Sequence, residues 1–170
     1  MRESGDCEEK NDPGAIESAI ELWQTLRGCG FHCTLLAGSV DRTVCDLNRE
    51  ACFLPFAHKL DELLLDHEVL FDIHSYRPRP GVFNGASGLV CRTPNEGTKH
   101  LEVLEGLQES FPDIVVLKGG DNYIINKATE LGRAALLLEV PYTSCGECCF
   151  EGDWRKIARV FESDVCDSSC

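Results

Sequence analysis

The chain has 170 residues, of which 43% are hydrophobic and 26% are charged, and its formal net charge is −13. This length and composition predict one globular domain with a single core. The acidic balance argues against nucleic acid and anionic membrane surfaces as partners, because phosphate binding needs clustered Lys and Arg. No apolar stretch is long enough to span a bilayer, and "MRESGDCEEKNDPG" lacks the apolar core of a secretory signal, so we expect a cytoplasmic location.

The cysteine content is high, with 11 residues. Without a signal peptide we expect reduced thiols, and an odd number cannot all pair within one chain. Cys33 in "FHCTLLA" and Cys91 in "GLVCRT" lie in apolar runs, so they are predicted to act as small core residues. Four cysteines near the C-terminus form a Cys-x-x-Cys pair, Cys145 and Cys148, and a Cys-x-x-x-Cys pair, Cys166 and Cys170. Their spacing is compatible with a structural zinc site or with surface thiols on a polar tail.

In chain order, the first predicted element is a helix in "NDPGAIESAIELWQTLRGCG", capped by Asn11 or Asp12 and ended by Gly28 or Gly30. "FHCTLLA" predicts a strand and "SVDRTVCDLNRE" a loop. "FAHKLDELLLDH" predicts a second helix, and the short apolar run "EVLFDIHS" predicts a central strand buried on both faces.

The second half begins with a Pro- and Gly-rich loop, "YRPRPGVFNGASG", and continues with alternating strands and helices. "LVCRT" predicts an edge strand, "TKHLEVLEGLQESF" a helix capped by Thr98 with His100 exposed, and "DIVVLKGG" a strand. "NKATELG" predicts a helix ended by Gly132, "AALLLEV" a strand and "GDWRKIARVFESD" the last helix. This alternation predicts an α/β domain with three layers, in which helices flank a mostly parallel or mixed central sheet.

Polar residues interrupt the apolar strands at similar places. Asp72 and His74 lie at the end of "VLFDIHS", Glu139 lies inside "LLLEV", and Lys118 precedes two glycines. A carboxylate in so apolar a run is costly to bury unless it is paired, bound to metal or protonated. The simple alternative is that Glu139 faces solvent where its strand leaves the sheet.

A second polar group follows the first predicted strand, where "CDLNR" contains Asp46, Asn48 and Arg49. The simple alternative is that Arg49 pairs with Glu50 or Asp46. Taken with the strand-end residues and Arg42, these side chains predict a crevice with a histidine, carboxylates and two arginines. That composition is typical of a site for metal-assisted hydrolysis of an acidic substrate.

Four segments together resemble the N-formylglutamate amidohydrolase family: "DRTVCDLNRE", "LFDIHS", "LKGGDNYI" and "LLLEVPY", in that order. That family is similar in turn to carboxypeptidase A-like zinc peptidases, whose D-x-N-R, H-S-Y and late-strand Glu motifs have counterparts here. The resemblance covers roughly residues 3 to 142. It implies a phosphorylase/hydrolase-like fold, with an amidohydrolase-like part over residues 1–150 and a C-terminal helix and Cys-containing tail over residues 151–170 of the same domain.

The resemblance implies roles in catalysis for three residues of predicted strands, His74, Asp72 and Glu139, and for Arg42 in a predicted loop. His74 would be a zinc ligand, and Asp72 or a neighbouring group would hold its ring by a hydrogen bond. Glu139 would be the general base that takes a proton from zinc-bound water. Arg42 would polarise the scissile carbonyl or bind a second carboxylate.

The resemblance also implies how the substrate is held. Arg49 and Asn48 would grip its carboxylate, and Asp46 would orient a neighbouring side chain. Gly119 and Gly120 would let the backbone approach the ligand closely.

The early metal-binding motif departs from the family pattern. "RESGD" has Glu3 where the family has a histidine in "PHSGD", although Asp6 matches. We expect either a shortened N-terminus or a lost metal site. A set of Glu3, Asp6 and His74 would still hold a divalent ion, with its oxygen ligands shifting the preference from Zn toward Mn or Mg.

The leading hypothesis is a metal-dependent hydrolase that cleaves an amide bond next to a free carboxylate, on a small N-acyl amino acid or a peptide end. The alternative is a catalytically degenerate member that binds a carboxylate-bearing ligand or a protein partner without chemistry. A third hypothesis is an interaction module organised by cysteine-bound zinc.

Overall fold

The fold alternates helices and strands. A computed structural model describes residues 14–38, 47, 54–86, 88–142, 150 and 152–162 of the chain. Within these ranges the helices are α1 (Ala15–Gly28), α2 (Leu54–Asp66), α3 (Leu101–Ser110), α4 (Tyr123–Glu130) and α5 (Arg155–Glu162), and the strands are β1 (Val69–Tyr76), β2 (Val90–Thr93), β3 (Val115–Lys118) and β4 (Ala134–Pro141). None of these helices combines the length and the apolar composition that crossing a bilayer requires.

The strands form a four-stranded sheet in the order β1-β4-β2-β3. The β1–β4 and β2–β3 pairs are parallel, whereas β2 and β4 are antiparallel. The predicted α/β class with a mostly parallel or mixed sheet is confirmed. All of β4 is buried, which explains why "AALLLEVP" is apolar nearly throughout: it has a strand on each side and helices over each face.

Helices cover both faces of the sheet and give three layers. Because successive strand residues point to opposite faces, Leu136 and Leu138 pack with residues of α1, α3 and α5. Ala135 and Leu137 pack on the other face with residues of α2 and α4. Helix α5 places Ile157 in the first of these two clusters, so it shares a core with the sheet.

The predicted strand in "FHCTLLA" is wrong, because residues 31–38 have no strand assignment. The side chains still alternate: Phe31 and Cys33 pack against one core cluster and Leu36 against the other. The Trp23 indole, rather than a neighbouring strand, donates a hydrogen bond of 3.3 Å to the Cys33 carbonyl oxygen. The alternating polar and apolar residues of this segment therefore reflect packing on both sides. A β-strand also needs backbone hydrogen bonds to a neighbouring strand, and this segment has none among the described residues.

The prediction that "LVCRT" is an edge strand is also wrong. Strand β2 lies between β4 and β3, and Val90 and Cys91 are fully buried in it. The edges of this four-stranded sheet are β1 and β3. The prediction that "EVLFDIHS" is a central strand buried on both faces is therefore wrong, and most residues of β1 are only partly buried. Four residues are too few to show their position in a sheet, because pairing partners far away in sequence decide it.

Helix starts were predicted less well than helix ends. Gly14 rather than Asn11 or Asp12 is the N-cap of α1, and His100 rather than Thr98 is the N-cap of α3. His100 is buried rather than exposed, and its burial lowers its pKa. The predicted end of α4 is confirmed, since Gly132 follows the helix with a φ of 70°.

Gly30 closes α1 with a Schellman motif. The Phe31 N–H donates to the Leu26 carbonyl at 3.1 Å, and the Gly30 N–H donates to the Arg27 carbonyl at 3.0 Å. Gly30 has a φ of 90°, in the left-handed region that favours glycine. The predicted helix end at Gly28 or Gly30 is therefore confirmed, since Gly28 is the last helical residue.

We predict that Gly30→Ala lowers the free energy of unfolding by about 1 kcal/mol, because alanine is strained at this φ. Gly28→Ala is the matched control, since a Cβ at either position meets no atom within 4 Å. Gly28 is helical, so alanine there is expected to raise the free energy of unfolding by about 0.4–1 kcal/mol. Urea unfolding measures both. Equal effects of the two substitutions would contradict the backbone argument.

Cys91 behaves as a core residue, as predicted. It is fully buried, and burial raises the pKa of its thiol to about 12. Cys33 packs against the same cluster and its pKa is raised by burial, an effect that the charge of Arg27 opposes. Cys29, in contrast, is exposed.

We predict that iodoacetamide at mildly alkaline pH alkylates Cys29 in the folded protein and leaves Cys91 unmodified until urea unfolds the chain. Peptide mass spectrometry resolves the two sites. The raised pKa of Cys91 also predicts a pH effect: between its ordinary pKa of 9.0 and about 12, the thiol ionises in the unfolded chain only. The free energy of unfolding therefore decreases as the pH rises through this range. Rapid modification of folded Cys91 would contradict its burial.

Candidate functional site

The pairing of β1 with β4 brings His74 and Glu139 together. These two residues are register partners in a parallel pair, near the carboxyl ends of both strands. Adjacent strands lie about 4.8 Å apart, and register partners point to the same face. Asp72 pairs with Leu137 and therefore shares this face, which α2 and α4 cover. The structure thus places three of the predicted site residues on one face of the sheet.

Asp72 holds the imidazole of His74. His74 Nε2 lies 3.2 Å from Asp72 Oδ2, and the two side chains are 13% and 11% exposed. Because an ionised carboxylate only accepts hydrogen bonds, Nε2 is the donor. In a neutral ring the lone pair then lies on Nδ1. The resemblance implies such a contact, from Asp72 or a neighbouring group, to a metal-binding His74, and the metal-binding role itself stays a prediction.

Asn122 is a third member of this network, and the sequence analysis missed it. Its Nδ2 donates to Asp72 Oδ2 at 2.6 Å, while its Oδ1 accepts from the Ile125 N–H at 2.8 Å as the N-cap of α4. One amide therefore ties β1 to α4. An Asn before the helix in "GGDNYIIN" is a recognisable cap signal, but the partner on a distant strand is not visible in the sequence.

Glu139 is buried beside Arg92. It is 8% exposed, so the simple alternative that it faces solvent is wrong. Arg92 Nη1 lies 3.6 Å from Glu139 Oε1, and this ion pair offsets part of the cost of burying the carboxylate. Arg92 pairs with Leu137 in the antiparallel β2–β4 ladder and so shares the face of Asp72. The sequence feature that could have identified Arg92 as a site residue is its position inside the apolar run "LVCRT".

The loop after β1 folds back toward Arg92. The Arg92 Cζ lies 5.7 Å from the centroid of the Phe83 ring, in a short 3₁₀ helix, Val82–Gly85. Phe83 also makes an edge contact with Tyr76 at 4.9 Å, and the Tyr76 hydroxyl donates to the Gly88 carbonyl at 2.5 Å. Phe83 has a φ of 43°, an uncommon value for a bulky residue. The Pro- and Gly-rich loop therefore contributes one wall of the site.

Gly119 and Gly120 contact β2. Both N–H groups donate to the Thr93 carbonyl, at 3.1 and 2.9 Å. A Cβ on Gly120 would lie 2.9 Å from the Arg92 carbonyl oxygen. This close packing accounts for the glycine, and the predicted approach to a ligand stays a prediction.

The prediction that Lys118 lies at the same edge of the sheet as the ends of β1 and β4 is wrong, although Gly119 lies beside the Arg92 guanidinium, where a Cβ would be 4.0 Å from Nη2. Because β3 is parallel to β2 and β2 is antiparallel to β4, the carboxyl end of β3 points away from those of β1 and β4.

The remaining predicted site residues lie outside the described residues: Glu3, Asp6, Arg42, Asp46, Asn48 and Arg49, with the cysteines Cys145, Cys148, Cys166 and Cys170. Their roles stay predictions. Among the residues that the structure describes, no three His, Cys, Asp or Glu side chains form a group that could hold a metal ion. The described part of the site therefore supplies His74 as one of the proposed ligands and does not by itself fit a metal.

An open groove of about 590 Å³ lies elsewhere, lined by α1 and by residues 152–155. Its lining includes Glu21, Cys29 and Trp154 and none of the site residues described above. Trp154 belongs to the core cluster on the opposite face of the sheet. The groove is therefore separate from the candidate site.

Comparison of the chain with protein-family models, with curated proteins and with solved structures gives no match. Its function therefore has to be inferred from the residues themselves.

We predict that Asn122→Ala lowers the free energy of unfolding by about 2–3 kcal/mol, since it removes a helix cap and a hydrogen bond to a charged group. Asn122→Ser is the matched variant, because serine caps helices but is too short to replace the amide bond to Asp72. We expect it to recover about 1 kcal/mol of the loss. Urea unfolding distinguishes the two, and a serine variant as stable as the wild type would show that the Asp72 bond contributes nothing.

Proposed function

We propose that the chain is a metal-dependent hydrolase that cleaves an amide bond next to a free carboxylate, like the N-formylglutamate amidohydrolases that its motifs resemble. The observation that supports this most is the pairing of His74, oriented by Asp72, with the buried Glu139 at the same level of adjacent strands. A histidine and a carboxylate so placed can share one reacting centre.

His74 is proposed to bind the metal through Nδ1. The hydrogen bond from Nε2 to Asp72 sets this tautomer. Asn122 fixes the orientation of the Asp72 carboxylate from the other side. The imidazole is thereby held before any ligand binds, which reduces the entropy lost on binding.

Glu139 is proposed to accept a proton from the attacking water and to return it to the leaving amine. Its carboxylate is almost fully buried on the same face as His74, where few waters compete for it. In this proposal Arg42, Arg49 and Asn48 hold the substrate, with Asp46 orienting a neighbour and Gly119 and Gly120 near the ligand.

A divalent metal would lower the pKa of a bound water, which zinc shifts to about 7. The proposed ligand set is Glu3, Asp6 and His74, with Zn, Mn or Mg as the ion. Because the structure describes only His74 of these three, we assign no catalytic step to the metal. The proposal also includes a cytoplasmic location and a small-molecule or peptide carboxylate as substrate.

A second candidate function is binding of a carboxylate-bearing ligand or a protein partner without chemistry. The Arg92–Glu139 ion pair favours it, because a guanidinium beside the proposed base competes with a water proton for the carboxylate. Hydrolysis by the wild-type chain is the result that separates the two candidates.

We predict that wild-type protein loaded with zinc hydrolyses N-formyl-L-glutamate and that Glu139→Gln lowers kcat by about 10²–10⁴-fold, with little change in KM. Formate release measures the rate. Glu130→Gln is the matched control, since Glu130 is exposed at the end of α4. An active Glu139→Gln variant would remove Glu139 as the base.

For the ligand role, His74→Ala is expected to lose bound zinc, whereas His58→Ala on the exposed side of α2 retains it. Mass spectrometry of the purified proteins for metal content measures both. Unchanged zinc in His74→Ala would remove His74 from the ligand set. A wild-type chain that binds N-formyl-L-glutamate without hydrolysing it would favour the second candidate function.

A further inference from the structure

Arg92 is a cation at the candidate site that none of the motifs contains. It lies on β2, on the face of the sheet that carries Asp72, His74 and Glu139. Its side chain is 32% exposed, so the guanidinium is neither fully buried nor freely solvated.

The described residues use little of the hydrogen-bonding capacity of this guanidinium. Its Nη1 lies 3.6 Å from Glu139 Oε1, beyond the 2.7–3.2 Å typical of a hydrogen bond. Its Nε is buried without a hydrogen-bond partner among the described residues. A guanidinium has five N–H donors. An arginine with a purely structural role would be expected to satisfy more of them, because a buried donor without an acceptor is unfavourable.

The surroundings of Arg92 nevertheless hold it in place. Phe83 lies 5.7 Å from its Cζ, an arrangement that attracts a cation to the ring face. Gly120 packs so tightly that a Cβ would lie 3.1 Å from the Arg92 Cβ, and a Cβ on Gly119 would lie 4.0 Å from Nη2. The guanidinium therefore has neighbours that restrict its position, while its Nε lacks an acceptor among the residues that the structure describes.

We infer that Arg92 binds a carboxylate of the ligand, in addition to the residues proposed above to hold it, and is a specificity-determining residue of the site. A carboxylate matches the planar N–H fork of a guanidinium and supplies acceptors at hydrogen-bonding distance, which Glu139 Oε1 at 3.6 Å does not. A ligand anion at Arg92 competes with Glu139 for the guanidinium. This inference deepens the proposed function and rests on the location of its site, but it does not require that hydrolysis occurs.

The charge of the whole chain strengthens the argument. With a formal net charge of −13, the protein repels small anions in general. Two carboxylates, Asp72 and Glu139, lie on the same face. An anionic ligand therefore needs a specific cation at this place, and among the described residues Arg92 is the one beside Glu139.

The first experiment follows the Arg92 Nε–H resonance of the intact chain by ¹⁵N NMR during titration with glutarate and with its neutral diamide, glutaramide. The resonance is assigned by its disappearance in Arg92→Lys. We expect a saturable shift with glutarate and none with glutaramide. No shift with glutarate, or equal shifts with both compounds, would overturn the inference.

The second experiment measures the affinity for glutarate by calorimetry in Arg92→Gln and Arg92→Lys. We expect Arg92→Gln to bind about 10–100-fold more weakly, as for the loss of a charged hydrogen bond. Arg92→Lys is expected to fall between this variant and the wild type, because lysine keeps the charge and loses the fork. Arg159→Gln is the matched control: it removes the same charge from the exposed side of α5, across the sheet, and should bind as the wild type does.

Circular dichroism establishes whether each variant is folded. If Arg92→Gln does not fold, the NMR titration of the wild type with glutarate and glutaramide decides whether Arg92 binds a carboxylate. Unweakened binding by folded Arg92→Gln would overturn the inference. Failure of the proposed function is distinguishable from this result, because a chain that binds glutarate through Arg92 and hydrolyses no amide refutes hydrolysis alone.

Discussion

The parallel pairing of β1 with β4 is the interaction on which the candidate site depends. It places His74 opposite Glu139 and Asp72 opposite Leu137, all on the face beneath α2 and α4. A slip of one residue would turn every side chain of β1 to the other face. The apolar residues between the polar ones prevent this, since Phe71 and Ile73 pack against the opposite cluster. The same packing that stabilises the sheet therefore positions the site.

Burying two carboxylates beneath helices costs stability, and the structure offsets this cost locally. Asp72 accepts hydrogen bonds from His74 and Asn122, and Glu139 has Arg92 beside it. The first arrangement is tight and cross-links β1 to α4, whereas the second is loose at 3.6 Å. Groups retained in costly environments often serve function rather than stability. The Arg92–Glu139 pair, at 3.6 Å, is therefore the pair whose partners a ligand is proposed to change.

Helices and strands were predicted correctly where the local pattern of apolar residues was strong. The apolar runs of β1 and β4 and the amphipathic helices α1, α2 and α3 all appear in the structure. The prediction failed for "FHCTLLA", which alternates like a strand but has no ladder among the described residues. It also failed for the positions of two strands in the sheet, since β1 lies at an edge and β2 is central. These failures concern hydrogen bonds to segments far away in sequence, which no local pattern contains.

The sequence by itself determined the α/β class and identified Asp72, His74 and Glu139 as candidates, because polar groups in apolar strands require partners wherever they are buried. Only the tertiary structure showed which residues are those partners. The antiparallel β2–β4 pairing brought Arg92 to Glu139, and the start of α4 brought Asn122 to Asp72 across 50 residues. The same antiparallel pairing turned the end of β3 away from the others. The physical reason is that long-range packing sets strand direction and helix placement. The local pattern of polar and apolar residues, in contrast, already indicates which side chains are buried.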